Sequence, residues 1–184
     1  MDCNHFLFTL ITFDHRAQVD ERCNVTPVRQ IDPRGIEIRG DGGSTDIRLA
    51  LNVAHEGLRR YLSQVVEPHP ERSEHPVPLL LLFSDGQHNG PERPEEVADQ
   101  IKHLRIDEDP VVIACAGVAI DDYDEPDEEL LQRIASPGCY VRVENVRHLS
   151  AFLAEIGSRG YSTAPEVAMG IQGLIEDQRG RGDR

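Results

Sequence analysis

Hydrophobic residues along this chain follow two periods, and the places where one gives way to the other divide it into strands and helices. Phe6 to Phe13 reads FLFTLITF, short, aromatic and β-branched, and ends at Asp14-His15; this predicts a buried strand. A weaker strand is expected over Ala17 to Arg22. Val25 to Gly43 is rich in Pro, Gly, Asp and Arg, which predicts an irregular connection with room for one edge strand. From Gly42-Gly43-Ser44-Thr45 onward the spacing changes. Ile47, Ala50, Leu51, Ala54, Leu58, Tyr61 and Leu62 recur every three or four residues, the signature of one apolar helix face.

Val65 to Pro76 is polar and proline-punctuated. Val77 to Phe83 (VPLLLLF) then runs apolar on both faces, as a central parallel strand does, and stops at Ser84-Asp85-Gly86. Pro94-Glu95-Glu96 places proline and acids in a first helical turn, with Val97, Ile101 and Leu104 on one face. Val111 to Val118 reads as the next buried strand. Leu130, Leu131 and Ile134 follow an acidic run as a helix, and Cys139 to Val143 is a short strand. Asn145 is placed to cap a helix carrying Val146, Leu149, Phe152, Leu153 and Ile156. A Thr163-x-x-Glu166 capping box precedes one more helix with Val167, Ile171, Leu174 and Ile175.

Strand and helix thus alternate from Val77 onward. That pattern predicts an α/β fold, a doubly wound, mostly parallel sheet with helices on both faces, Rossmann-like, with ligand chemistry at the carboxyl ends of its strands. Length allows one such domain. The expected division is 1–157 for the domain and 158–184 for a C-terminal helix and polar tail.

Composition narrows the function classes. Against 33 acidic residues stand 19 Lys and Arg, a net charge of −14, which repels nucleic-acid backbones and anionic membrane surfaces. The longest apolar stretch is far shorter than a bilayer crossing requires, and no charged-then-apolar signal opens the chain, so a cytoplasmic location is expected. Cys3, Cys23, Cys115 and Cys139 form no CxxC pair, which argues against a zinc site and a disulfide framework.

Two features carry candidate chemistry: the Gly-Gly-Ser-Thr-Asp opening of the long helix, and the apolar strand ending in Ser84-Asp85-Gly86. Together, in this order and spacing, they resemble the von Willebrand factor A family, and the resemblance runs from residue 6 to residue 157. It implies a non-enzymatic protein-interaction module with a metal-ion-dependent adhesion site. In that family an Asp-x-Ser-x-Ser after the first strand, a Thr in the second loop and an Asp after the fourth strand hold Mg²⁺, and a partner's carboxylate completes the coordination. Thr45 matches the second element and Asp85 the third. The extra Ser shifts the register by one, so Ser44 and Thr45 are alternatives for the hydroxyl ligand. Oxygen donors suit a hard cation, Mg²⁺ or else Mn²⁺ or Ca²⁺.

The chain departs from the family in having no Asp-x-Ser-x-Ser and no counterpart of the first strand and helix. The cation is therefore expected to be weakly held or absent in the chain as it stands. Three explanations are open: a start codon placed too late, a decayed gene copy, or a rearranged sheet in which the strands at Phe6 and Val77 pair directly. The first predicts an Asp-x-Ser-x-Ser about 30 to 40 residues upstream of Phe6, the length of a βα unit.

Plainer readings stand beside these. Asp85 with Gly86 is also a simple turn, and Thr45 is also a helix N-cap. His88, three residues beyond Asp85, admits an alternative as the acid/base partner in a metal-dependent hydrolase on the same sheet, though a solvated loop histidine is the commoner situation. Another alternative is a metal-free scaffold that recruits a partner through sheet edges. Asp121, Asp122, Asp124 and Glu125 lack the spacing of a calcium loop, and Arg181-Gly182-Asp183 lies in a polar tail where such a triplet arises by composition.

Overall fold

The computed structural model of the chain describes residues 7–36, 44–68, 78–106, 108–118, 125–143 and 165–173. Its centre is a three-stranded parallel sheet made of β5 (Leu79–Ser84), β8 (Val112–Val118) and β9 (Tyr140–Val143), in the order β5-β8-β9. Leu79 pairs with Val112 and Ser84 with Gly117, while Cys115 to Val118 pair with Tyr140 to Val143. Parallel neighbours need a crossover between them. Here α2 (Pro94–His103) connects β5 to β8, and α3 (Glu128–Ile134) connects β8 to β9. The chain is thus a mixed α/β protein, as its alternating pattern predicts.

Each face of the sheet has its own core. On one face Ile113, Cys115 and Leu82 meet Ile47 and Leu51 of α1 (Ile47–Tyr61), Val97, Ala98 and Ile101 of α2, and Leu130, Leu131 and Ile134 of α3. On the other, Val112, Ala114, Ala116, Val141 and Val143 meet Val167 and Ile171 of the helical segment 165–173. Every second residue of β8 belongs to the opposite cluster, because side chains alternate along a strand. Its continuous VIACAGV run is that of a strand covered on both sides, with all but Val118 buried. The buried Ser136 closes its start: the hydroxyl accepts from the Ile113 amide at 3.1 Å, and the Ser136 amide donates to the Ile113 carbonyl at 2.8 Å.

Helix boundaries follow local chemistry. Pro94 stands in the first turn of α2, where its missing amide costs nothing, followed by Glu95 and Glu96 at the positive end of the dipole. Asp127 caps α3 by accepting from the Leu130 amide at 2.9 Å. Helix α1 does not end at Tyr61; it continues as a π-helical turn over Leu62–Val66, into the stretch read as loop from sequence. A small antiparallel pair, β6 (Arg105–Ile106) with β7 (Asp109–Pro110), was not anticipated; Ile106 plugs into the first core.

The amino-terminal expectations need correction. Phe6 to Phe13 is not one buried strand. It contains β1 (Leu7–Phe8), exposed, and β2 (Ile11–Phe13), half-buried. β2 forms an antiparallel hairpin with β3 (Ala17–Val19), and β1 pairs with β4 (Thr26–Pro27). The turn Asp14-His15-Arg16 explains this: the Asp14 carboxylate accepts from the Arg16 amide at 2.6 Å, and a two-strand ribbon closes locally without a crossover. Among the described residues neither β1 nor β2 pairs with β5, so they do not make the rearranged sheet in which the strands at Phe6 and Val77 pair directly. β5 itself, expected at the centre, is an edge of the described sheet. The helix expected over Val146 to Ile156, the acidic run 121–124 and the Arg-Gly-Asp triplet lie outside the described residues. No described helix is long and apolar enough to cross a membrane.

Candidate functional site

The amino end of α1 and the loop after β5 meet at the carboxyl rim of the sheet. Two reciprocal hydrogen bonds clasp them: the Thr45 amide donates to Asn89 Oδ1 at 3.2 Å, and the Asn89 amide donates to the Thr45 carbonyl at 2.8 Å. Next to this clasp, His88 Nδ1 accepts from the Ile47 amide at 3.2 Å, and its Nε2 faces the Glu92 carbonyl at 2.7 Å. An acceptor Nδ1 fixes the tautomer with the proton on Nε2, which then donates to Glu92. Both ring nitrogens are thereby engaged by the backbone, and the side chain is only 9% exposed.

Asp46, not Thr45 or Ser44, is the N-cap of α1: its Oδ1 accepts from the Leu49 amide at 3.2 Å. The same oxygen lies 3.8 Å from His88 Nδ1. The close approach of this group to the β5 loop explains Gly90, where an added Cβ would stand 2.6 Å from the His88 ring and 2.7 Å from an Asp46 carboxylate oxygen. The Asp46 amide in turn donates to the Asp14 carbonyl at 2.7 Å, tying in the β2–β3 hairpin. One short segment, Ser44 to Ile47, therefore joins hairpin, helix and sheet.

Asp85 occupies the predicted strand end. Its Oδ1 accepts from the Gln87 amide at 3.0 Å, a turn of the kind the plainer reading expects, while its carbonyl accepts from the Asp127 amide at 2.8 Å. Gly86 turns with φ +77° beneath Asp127, leaving no room for a side chain. The loop from Asp85 to Gly90 thus leans on α3 at one end and on α1 at the other. The structure unites the loops of Ser44-Thr45 and Asp85, and it does so through Asn89 and His88; no hydrogen bond joins the Thr45 and Asp85 side chains themselves. Asn89 was missed in the sequence because an Asn-Gly pair reads as a turn.

A hard cation would find oxygen donors only: the Ser44 and Thr45 hydroxyls and the Asp85 carboxylate. One Asp85 oxygen holds its own loop, and the other makes no hydrogen bond to a described residue. One Asp46 oxygen caps the helix by accepting from the Leu49 amide. The set fits Mg²⁺ in kind, with a single carboxylate to offset its charge. Among the described residues no group of three or more His, Cys, Asp or Glu side chains could hold a metal. Cys23, Cys115 and Cys139 are buried thiols, and burial pushes Cys115 up to about 12 and Cys139 up to about 11.

No protein-family model matches the chain, and no curated protein sequence does. Among solved structures, proximal thread matrix protein 1 from the mussel byssus is similar, with a TM-score of 0.50 and 15% identity over 92% of this chain. The present chain spans 36% of that protein's chain. At that identity the likeness concerns fold alone, and it agrees with a mixed α/β architecture.

Proposed function

We propose that this chain is a von Willebrand factor A-like interaction module, doubly wound when complete, that binds an acidic group of a protein partner with the help of a divalent cation. Ser44 or Thr45 and Asp85 are its ligand candidates. The observation that carries this reading is the double hydrogen bond between Thr45 and Asn89, which holds the hydroxyl-bearing segment against the loop that begins at Asp85. The cation would supply a positive centre beside Asp85, and the partner's carboxylate would complete its coordination. Thr45 and Asp85 orient that centre; Asn89 and His88 keep the two loops in register.

The hydrolase alternative is less well supported. A general base needs a ring nitrogen available to substrate, and both nitrogens of His88 face backbone partners.

The test is Mg²⁺ titration followed by thermal unfolding. A cation that binds only the folded chain stabilises it by about 2.7 kcal/mol at a hundredfold excess over its dissociation constant. The expected result is a saturable rise in melting temperature that Asp85→Asn abolishes and Thr45→Val weakens. An identical rise in wild type and Asp85→Asn, or none in either, overturns the proposal.

A further inference from the structure

The arginines of α1 and α3 are paired with acids, with one exception. Arg48 meets Glu92 at 2.7 Å and Glu96 at 3.2 Å, Arg60 meets Glu56 at 3.7 Å, and Arg133 meets Glu95 at 3.0 Å and Glu129 at 2.7 Å. Arg59 makes no ion pair or hydrogen bond with a described residue. In a chain with 33 acidic residues to 19 Lys and Arg, a guanidinium left without a carboxylate calls for a reason.

Arg59 lies in an open groove between α1 and α2 with a volume of about 580 Å³. His55, one turn earlier on the same face of α1, lines it too, and His103 lines it from the end of α2. His103 Nδ1 faces the Asp99 carbonyl at 2.6 Å. A carbonyl only accepts, so the Nδ1 proton goes to it and Nε2 is left for a ligand. His55 makes no hydrogen bond with a described residue. The carboxylate in the groove, Asp99, is offset by Lys102 Nζ at 2.9 Å, and Glu56 beside His55 faces Arg60 instead. The groove is thus a basic place on an acidic molecule. His55 registers it: its ring is held below the ordinary histidine value by burial first and by Arg59 second, against Glu56. Helix dipoles do not account for the arrangement. Cations favour a last helical turn, and His103 stands in one, but His55 is in the body of α1. Because α1 continues through its π-helical turn to Val66, Arg59 is about two turns from the end as well.

We propose that the groove between α1 and α2 is a binding site for a phosphate group, held by the Arg59 guanidinium and the imidazoles of His55 and His103. The guanidinium presents two parallel N–H groups to two of the oxygens. The imidazoles meet the others, donating when protonated and accepting from a P–O–H when neutral. A carboxylate has two oxygens, which the guanidinium alone satisfies, so a tetrahedral oxyanion makes fuller use of the three side chains. The groove lies about two and a half turns along α1 from its cap Asp46, and this site does not depend on the cation reading.

The experiment follows the ring protons of His55 and His103 by NMR in the full chain at about pH 6.5, where an ordinary imidazole is half-protonated. Inorganic phosphate, glycerol phosphate and acetate are titrated separately, in EDTA and at an ionic strength held constant with chloride. His55→Gln and His103→Gln assign the signals. The expected result is a saturable shift of both rings with phosphate or its ester, His55 moving toward its protonated form; the tighter of the two identifies the source, free ion or ester. Arg59→Gln is expected to weaken binding about tenfold or more, as the loss of a charge-assisted hydrogen bond does, and Arg60→Gln, outside the groove, to leave it unchanged. Arg59 is exposed, so its replacement spares the core, and the titration of wild type stands without any variant. Rings that ignore both phosphate and its ester overturn the proposal. So does an equal response to acetate, or a phosphate response that Arg59→Gln leaves intact.

Discussion

Removing the imidazole of His88 tests the construction of the rim most directly. In His88→Ala the Ile47 amide loses its acceptor at the start of α1, in a place that is fully buried at Ile47 itself. A buried donor left without a partner costs about 1–3 kcal/mol, and the bond to the Glu92 carbonyl adds about 0.5–1.5 kcal/mol. The sum, about 1.5–4.5 kcal/mol, corresponds to a fall in melting temperature of about 3–18 °C for a chain of this size. His88→Asn keeps an acceptor near the position of Nδ1 and loses the reach to Glu92. It is expected to recover the larger share.

The assay is thermal and urea unfolding of the three proteins side by side, with a double-mutant cycle against Asn89→Ala. Since His88 and Asn89 hold amides two residues apart on the same segment, Ile47 and Thr45, their effects are expected to couple rather than add. A melting temperature for His88→Ala within about a degree of wild type would refute the reasoning, because an amide left unpaired at a buried site cannot be that cheap. Equal loss in His88→Asn and His88→Ala would refute it too, by showing that the ring is valued for its bulk.

Other outcomes follow from the same geometry. Gly86→Ala forces a side chain into a left-handed turn with its Cβ 2.8 Å from the Asp127 carbonyl oxygen, and is expected to cost about 2–5 kcal/mol by urea unfolding from backbone strain and overpacking. Gly57→Ala on the exposed side of α1 meets nothing within 4 Å and should stabilise by about 0.5–1 kcal/mol, which makes it the matching control. Cys115, with its thiol pushed up to about 12 by burial, should resist alkylation at neutral pH until denaturant is added, as read by intact mass. His55 is held below the ordinary histidine value by burial first and by Arg59 second, against the opposing pull of Glu56. The folded chain therefore binds that proton less readily than the unfolded one, so stability is complete above the ordinary histidine value and declines as pH falls through it. His55→Gln should flatten that part of the stability–pH curve, and an unchanged slope would refute the assignment.

The sequence showed the parallel half of the fold because its evidence is local. Continuous apolar runs such as Val112 to Val118 and helix faces such as Ile47, Leu51 and Leu58 state their period within a few residues. The amino-terminal segment misled because FLFTLITF has the composition of a buried strand, while its fate is decided by the Asp14 turn a residue later and by which partner it finds. Register and partner choice are long-range properties, and an apolar run alone does not encode them. The same limit applied to the site. Thr45 and Asp85 are legible as a helix opening and a strand end, but Asn89, which brings their loops together, lies 44 positions from Thr45 in sequence, and its local signal, an Asn-Gly pair, is only that of a turn.

The separation of tasks at the rim also explains why the cap of α1 is Asp46 while the residues before it are left for other work. A helix N-terminus needs an oxygen at one position only, and Asp46 supplies it to Leu49. Thr45 is then held by its backbone alone, donor and acceptor both to Asn89, and its hydroxyl is not spent on the helix. The same division recurs at Asp85, whose carbonyl and one carboxylate oxygen hold the loop while the second oxygen is not drawn into it. Under the proposed reading, side chains kept out of the scaffold on a segment the scaffold fixes at both ends would suit a preorganised binding rim.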